Sequence, residues 1–247
     1  MLRFALDTAA LTGGALDVTL YPVVRAWGFT TGDYRVPGDE ELAGLLARVG
    51  WRQVALEGAA ARLPEGVMVD LGAVAKGYAS DRLAALLREG GVQSALIDLG
   101  GNICCVGAKR DGRPWRIGVR DPKNPERYVG ALAVKDRAVI TSGSYERFFT
   151  GEDGTVYGHI FDPATGRPAE SGVISATVVG ESGMQCDALT TALYVMGVER
   201  ACALLQTLPA VDALLVDEDG ALWITMGLKD AFTPMDAYAQ ATINWIE

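Results

Sequence analysis

Histidine is nearly absent: His159 is the only one in 247 residues. A histidine-rich metal centre or a relay of several imidazoles is therefore excluded, and any neutral-pH base has one histidine candidate, since unperturbed imidazole titrates near 6.5. Cysteine is scarce too. Cys104 and Cys105 are adjacent while Cys186 and Cys202 lie far away. No Cys-x-x-Cys spacing exists, so neither a zinc ribbon nor a dithiol redox motif is encoded. Neighbouring strand residues point to opposite faces, so Cys104 and Cys105 do not pair with each other, and buried free thiols are the expectation. Positive charge is in deficit, with 22 Lys and Arg against 31 Asp and Glu and a net charge of −9. That argues against nucleic acid and anionic membrane surfaces as partners, though a small phosphorylated ligand needs only a local positive pocket. No apolar run reaches the ~20 residues of a membrane span. The first residues, Met1 to Asp7, lack a signal-peptide pattern because Asp7 interrupts the apolar stretch. Linkers, short repeats and low-complexity segments are missing, and at 49% hydrophobic the chain can bury a large core, read here as one domain over residues 1–247.

What is present is a sequence of helices and directly successive strands. Helical spacing covers Leu2 to Ala10, Asp39 (as N-cap) to about Val49, and Val74 to Arg88, which Gly90-Gly91 closes. Strands are expected at Trp51–Leu56, Ala61–Leu63, Val67–Leu71 and Ser94–Leu99, the last apolar enough for the centre of a sheet. Further strands are expected at Trp115–Val119, Ala131–Val134, Ala138–Thr141, Val156–Phe161 and Val173–Val179. Asp187 then opens a helix, Glu199 to Thr207 forms a second, and a hairpin runs from Ala213 to Thr225. Strands that follow one another predict an α+β fold with much antiparallel sheet, and the order of strand, helix and several strands recurs loosely in the second half.

Four stretches can carry chemistry. Asp70-Leu71-Gly72-Ala73-Val74-Ala75-Lys76-Gly77 joins an acid, a turn of small residues, a helix start and a lysine. That combination lets backbone N–H groups and a point charge meet a phosphate, but it is not a P-loop. Gly158 to Pro168 carries His159 into a turn fixed by Pro163 and Gly166. Thr141 to Arg147 is a hydroxyl-rich turn after a strand, without the Gly-x-Ser-x-Gly of a nucleophile elbow. Asp187 and Thr191 lie four apart on one helix face. On that segment alone two readings stand: Asp187 caps the helix and Thr191 bonds back to a carbonyl, or both face a hard cation such as Mg²⁺.

Taken together, these segments resemble the ApbE family of FAD:protein FMN transferases. The resemblance is carried by Thr12-Gly13-Gly14-Ala15-Leu16-Asp17-Val18-Thr19, Trp27-Gly28-Phe29, Asp70 to Tyr78 and Leu99-Gly100-Gly101-Asn102. It continues through Thr141-Ser142-Gly143-Ser144-Tyr145, His159-Ile160-Phe161-Asp162-Pro163 and Asp187 to Leu193, in family order over nearly the whole chain. The resemblance implies an ApbE-like fold of two related β-α-antiparallel-strand units. It also implies transfer of FMN from FAD to a threonine or serine of an acceptor protein bearing a threonine-containing motif, with release of AMP. Carried over residue by residue, Asp187 and Thr191 ligate Mg²⁺, with Thr190 close by and the main-chain oxygen of Ala73 completing the set. Ala15, Leu16, Asp17, Asp70 and Lys76 hold FAD, with Ile160 against it, and His159 is the catalytic histidine. Water in place of the hydroxyl turns the same site into a FAD pyrophosphatase, and loss of turnover leaves a flavin-binding protein; the pair His159 and Asp187 favours an enzyme. Two departures stand out. Ala73 replaces the usual second glycine of the cradle, and Met1 falls inside the domain, where family members usually begin earlier. Many relatives are exported lipoproteins; this sequence leaves the compartment open.

Overall fold

The computed structural model describes residues 1–247. The first third is irregular and helical: α1 (Leu2–Leu11), α2 (Tyr21–Ala26), α3 (Asp39–Leu46) and a small hairpin, β1 (Ala55–Glu57) with β2 (Ala60–Arg62). Then comes α4 (Gly72–Glu89), followed by β3 (Ala95–Leu99), β4 (Asn102–Val106), β5 (Trp115–Asp121), β6 (Asn124–Val134) and β7 (Ala138–Gly143). A two-stranded ribbon, β8 (Phe148–Thr150) and β9 (Val156–Gly158), precedes β10 (Val173–Gly180) and the long α5 (Gly183–Leu205). The chain closes with β11 (Asp212–Asp217), β12 (Leu222–Thr225), β13 (Phe232–Pro234) and β14 (Ile243–Ile246).

Seven strands form the main sheet in the order β14-β12-β11-β10-β7-β4-β3, antiparallel except for the β12–β14 pair. Each long helix is followed by an antiparallel pair, α4 by β3 and β4, α5 by β11 and β12, and the two halves join where β7 pairs with β10. This is the expected α+β architecture with mixed and antiparallel sheets. Alternation along the strands makes two cores. Val178, Ala213 and Leu215 face Leu189 and Leu193 of α5. Val179, Leu214 and Val216 face the second sheet, β13-β6-β5, through Val119, Val129 and Leu132. Cys104 packs beneath Ala84 of α4 while Cys105 lies in the opposite core, and all four thiols are free. By length and composition α5 is apolar enough to cross a membrane; in this fold it is the packed core helix.

Several expectations change. Val67–Leu71 is not a strand: it runs between a turn and α4, and the Asp70 N–H donates to the carbonyl of Val18 at 2.7 Å. β3 is an edge strand, not a central one: it pairs with β4 alone, and of its two faces one is covered, so that Ile97 is buried while Leu96 is 42% exposed. Trp51–Gln53 is a single 3-10 turn, α3 stops at Leu46, and β9 ends at Gly158. Asp187 does not open its helix. α5 starts four residues earlier, where Ser182 Oγ accepts the Gln185 N–H at 3.2 Å. Asp81 of α4 supplies a second cap, accepting from the N–H groups of Gly183 at 2.6 Å and Met184 at 3.0 Å. Two helices are expected after Asp187 and two are found, both within the span α5: they meet at Gly197, whose φ of 75° and ψ of 170° are not helical.

Candidate functional site

α4 and α5 cross at glycine. A methyl group on Gly77 would collide with the Gly183 carbonyl oxygen and come within 2.7 Å of Asp187 Cβ. The missing side chain lets the Gly77 N–H reach Asp187 Oδ2 at 2.8 Å. A regular helix would give that N–H to the carbonyl of Ala73, four residues earlier. Whatever share goes to Asp187 is withdrawn from Ala73, whose carbonyl oxygen keeps lone-pair capacity at the cavity wall. The second Asp187 oxygen accepts from Asn102 Nδ2 at 2.9 Å. Asn102 follows the two-residue turn Gly100-Gly101 between β3 and β4, which delivers it, 1% exposed, to the helix pair. Asp187 is itself 5% exposed, and burial raises its carboxyl above the usual range against the opposing pull of these two donors and of Lys76.

These groups open onto a cavity of about 280 Å³. Ala15, Leu16, Asp17, Asp70, Ala73, Lys76, His159, Ile160, Asp187 and Thr191 all line it, so segments distant in sequence converge as the motifs implied. Thr190 does not. It is fully buried on the sheet side of α5, where its hydroxyl donates to the Asp187 carbonyl at 2.7 Å and accepts from Ser142 Oγ at 2.8 Å. No three His, Cys, Asp or Glu side chains converge anywhere, so a nitrogen- or sulfur-rich metal site is not built. The carboxylate of Asp187, the carbonyl of Ala73 and the hydroxyl of Thr191 are oxygen donors, the chemistry that suits Mg²⁺.

Two acids serve the backbone. Asp70 Oδ1 accepts from the Gly72 N–H at 2.7 Å and fixes the start of α4. Asp17 Oδ1 accepts from Thr19 N and Oγ1 at 2.8 and 2.6 Å, and its Oδ2 accepts from Trp51 N at 2.9 Å. The Ala15–Asp17 wall is thereby tied to the segment after α3.

His159 hangs from the end of β9 beside an aromatic cluster. Trp27, fully buried, donates its indole N–H to the Gly166 carbonyl at 2.9 Å and so pins the turn after His159. Phe29 sits 6.3 Å from the imidazole, ring centre to ring centre. The Arg147 carbonyl accepts from both His159 N–H and Nδ1, each at 3.1 Å. A carbonyl can only accept, so Nδ1 carries the proton and Nε2 keeps its lone pair. Burial, reinforced by the charges of Arg147 and Lys76, lowers the imidazole to about 4, outweighing the carbonyl bond that favours protonation. The ring is neutral at pH 7.

Some lining residues were quoted in motifs but given no role. Ser142 stands near the end of β7, and Glu146 and Arg147 come from the turn that follows it. Burial raises the Glu146 carboxyl, partly offset by the charges of Lys76 and Arg120. Phe29 and Phe161 were also quoted in motifs, whereas Leu20 and Val24 had no sequence signal beyond hydrophobicity, which core residues share.

The chain is similar to known proteins both in sequence and in fold. A family model described as "ApbE family" matches residues 1–215. The FAD:protein FMN transferase of Treponema pallidum is 38% identical over 254 residues, an alignment covering 96% of this chain and 70% of the relative. That of Vibrio cholerae is 40% identical over 212 residues, covering 83% of this chain and 63% of the relative. Among solved structures, the ApbE protein of Thermotoga maritima superposes with a TM-score of 0.86 at 34% identity, covering 93% of this chain and 76% of that one. The flavin transferase ApbE of Vibrio cholerae gives 0.81 at 37% identity, covering 93% and 74%.

Proposed function

The chain belongs to the ApbE family, and on that premise we propose that it transfers the FMN half of FAD to a threonine or serine hydroxyl of an acceptor protein, with Mg²⁺ in the site and AMP leaving. The observation that carries this reading is the juxtaposition, in one cavity, of a neutral imidazole with a defined tautomer, a lysine at a helix start and the oxygen set around Asp187.

Each residue has a task. Mg²⁺, held by Asp187, Thr191 and the Ala73 carbonyl, would supply positive charge to the pyrophosphate. Lys76 adds a point charge, and the start of α4 lines the cavity through Gly72 and Ala73, with the positive end of the helix dipole there. Leu16, Ile160, Phe29 and Phe161 give apolar surface suited to a flavin ring. His159 Nε2 takes the proton of the acceptor hydroxyl as its oxygen forms the new bond to the FMN-side phosphorus, while the P–O bond to AMP breaks. Its Nδ1–H stays on the Arg147 carbonyl, so the ring holds its orientation throughout.

The test is a product assay with FAD, Mg²⁺ and a threonine-containing acceptor peptide. AMP formed in step with flavin-labelled peptide is the expected result. AMP without label would make the protein a pyrophosphatase, and no AMP would make it a binding protein.

A further inference from the structure

Arg147 and His159 form the last rung of the β8–β9 ribbon. Phe148 pairs with Gly158, and one step further the Arg147 carbonyl accepts from the His159 N–H and from Nδ1. On the Arg147 side the chain leaves the ribbon at once, into the 3-10 turn Ser144–Glu146. A two-stranded ribbon is marginal by itself, and its end rungs open first unless something ties them. Here the tie is the side chain of Arg147. Its Nη2 donates to the Phe29 carbonyl at 2.6 Å, a charge-assisted bond across 118 positions of sequence. Phe29 is a firm anchor: it is buried, gives its own N–H to the Val24 carbonyl at 3.2 Å, and packs its ring 5.6 Å from that of Phe161. The same ring lies 6.3 Å from the imidazole. Arg147 enters none of the six ion pairs, so no carboxylate holds the guanidinium elsewhere.

We propose that Arg147 is a positioning residue for His159: its guanidinium, fastened to the Phe29 carbonyl, holds the Arg147 main-chain carbonyl where it keeps the proton on Nδ1 and leaves Nε2 free as the base. The kinetic consequence rests on the transferase reading above, whereas the imidazole tautomer does not. Two effects of Arg147 can be told apart. Its charge lines the cavity and acts on FAD, so it is read in FAD affinity. The clamp acts on the imidazole, so it is read in the tautomer without any ligand, and in kcat once FAD is saturating. A bond that merely fastened the ribbon would move neither while the fold is intact.

The experiment uses the full chain. His159 is its only histidine, so protein carrying ¹⁵N-histidine gives the NMR signals of one ring. Ligand-free wild type at pH 7 is expected to show a protonated Nδ1 and an unprotonated Nε2. Arg147 is exposed, so its variants are expected to fold, which circular dichroism checks. R147M keeps the apolar stem and removes the donor. It is expected to convert a large part of the ring to the Nε2–H tautomer and to lower kcat for flavin labelling about 10–10²-fold at saturating FAD. R147K keeps a charge and a donor. One N–H makes the bond to Phe29, so the arginine fork is not required, and the wild-type tautomer and kcat are expected to return. An Nε2–H tautomer in wild type, or an unshifted one in R147M, overturns the proposal. So does a fall in FAD affinity alone with kcat kept, which would leave Arg147 as a charge for the pyrophosphate. If the tautomer shifts as expected but wild type labels no acceptor, the clamp on His159 stands and the transferase reading fails.

Discussion

At the scale of single residues, the proposed chemistry rests on two side chains that burial pushes toward neutrality, the imidazole by lowering its titration and the carboxyl by raising it. His159 is held neutral, and its depressed titration gives a definite pH dependence. Above about pH 5 the imidazole is unprotonated, so kcat/KM is expected to be flat on its account. An acid limb should appear near pH 4, as Nε2 gains a proton. The same shift bears on stability. The unfolded chain protonates its histidine near 6.5 and the folded chain only near 4, so the contribution is complete above pH 6.5 and is lost progressively as pH falls through that window. H159A removes the effect along with the base. Its FAD affinity should stay within a few fold while labelling slows by about 10²–10⁴; unchanged labelling kinetics would exclude His159 as the base. Asp187 is a carboxyl that burial likewise pushes toward neutrality and that a cation would return to its charged form. D187N keeps the shape but removes the charge and one of the two hydrogen bonds accepted from Gly77 and Asn102. Mg²⁺-dependent activity is expected to fall by at least about 10², with the circular dichroism spectrum intact; retained Mg²⁺ dependence would remove Asp187 from the metal set.

At the scale of elements, the helix crossing decides whether those residues meet. Gly77→Ala sets a methyl group against the Gly183 carbonyl and Asp187 Cβ, both on the rigid start of α5. The helices must separate, and the Gly77 N–H loses its hold on Asp187. Urea unfolding should show a loss of about 2–4 kcal/mol. Gly44→Ala is the matched control: it is also within a helix, α3, but its added methyl meets nothing, so it should be neutral or stabilising by up to ~1 kcal/mol. Equal effects at both positions would mean that the crossing has slack. Which of these elements could be read from the chain follows from what encodes them. α1, α4 and the body of α5 announce themselves by helical spacing, and β5, β7 and β10 by apolar runs between turn residues. Val67–Leu71 reads as a strand because its composition is β-like, yet a strand needs a neighbour, and only the Asp70–Val18 bond is made. β3 reads as central because Ala95, Leu96 and Ile97 are apolar in succession, although it pairs with β4 alone and α4 covers just one of its faces. The cap from Asp81 and the donor from Asn102 are contacts across about 100 and 85 positions, with no local pattern to mark them. The site residues were legible because their spacing and type recur as motifs, whereas Thr190 shares the motif but turns its hydroxyl to the sheet.

At the scale of the whole molecule, the cavity is a seam. Its walls come from the Ala15–Asp17 segment, the start of α4, the turn after β7, the loop after β9 and α5, which belong to different apolar clusters. A ligand that touches all of them exists only for the folded chain, so binding must stabilise the fold by RT ln(1 + [L]/Kd). At a hundredfold excess over Kd that is about 2.7 kcal/mol, and for a domain of 150–250 residues each kcal/mol moves Tm by about 2–4 °C. FAD with Mg²⁺ should therefore raise Tm by about 5–10 °C. The two components should not act independently. The pyrophosphate adds negative charge beside Asp187 and Glu146, which the cation offsets together with Lys76 and Arg147. FAD alone should then shift Tm by clearly less than FAD with Mg²⁺, and D187N should erase the difference between them. Equal shifts with and without Mg²⁺ in the wild-type protein would show that Lys76 and the start of α4 suffice to hold the pyrophosphate, and that the oxygen set around Asp187 is not its metal site.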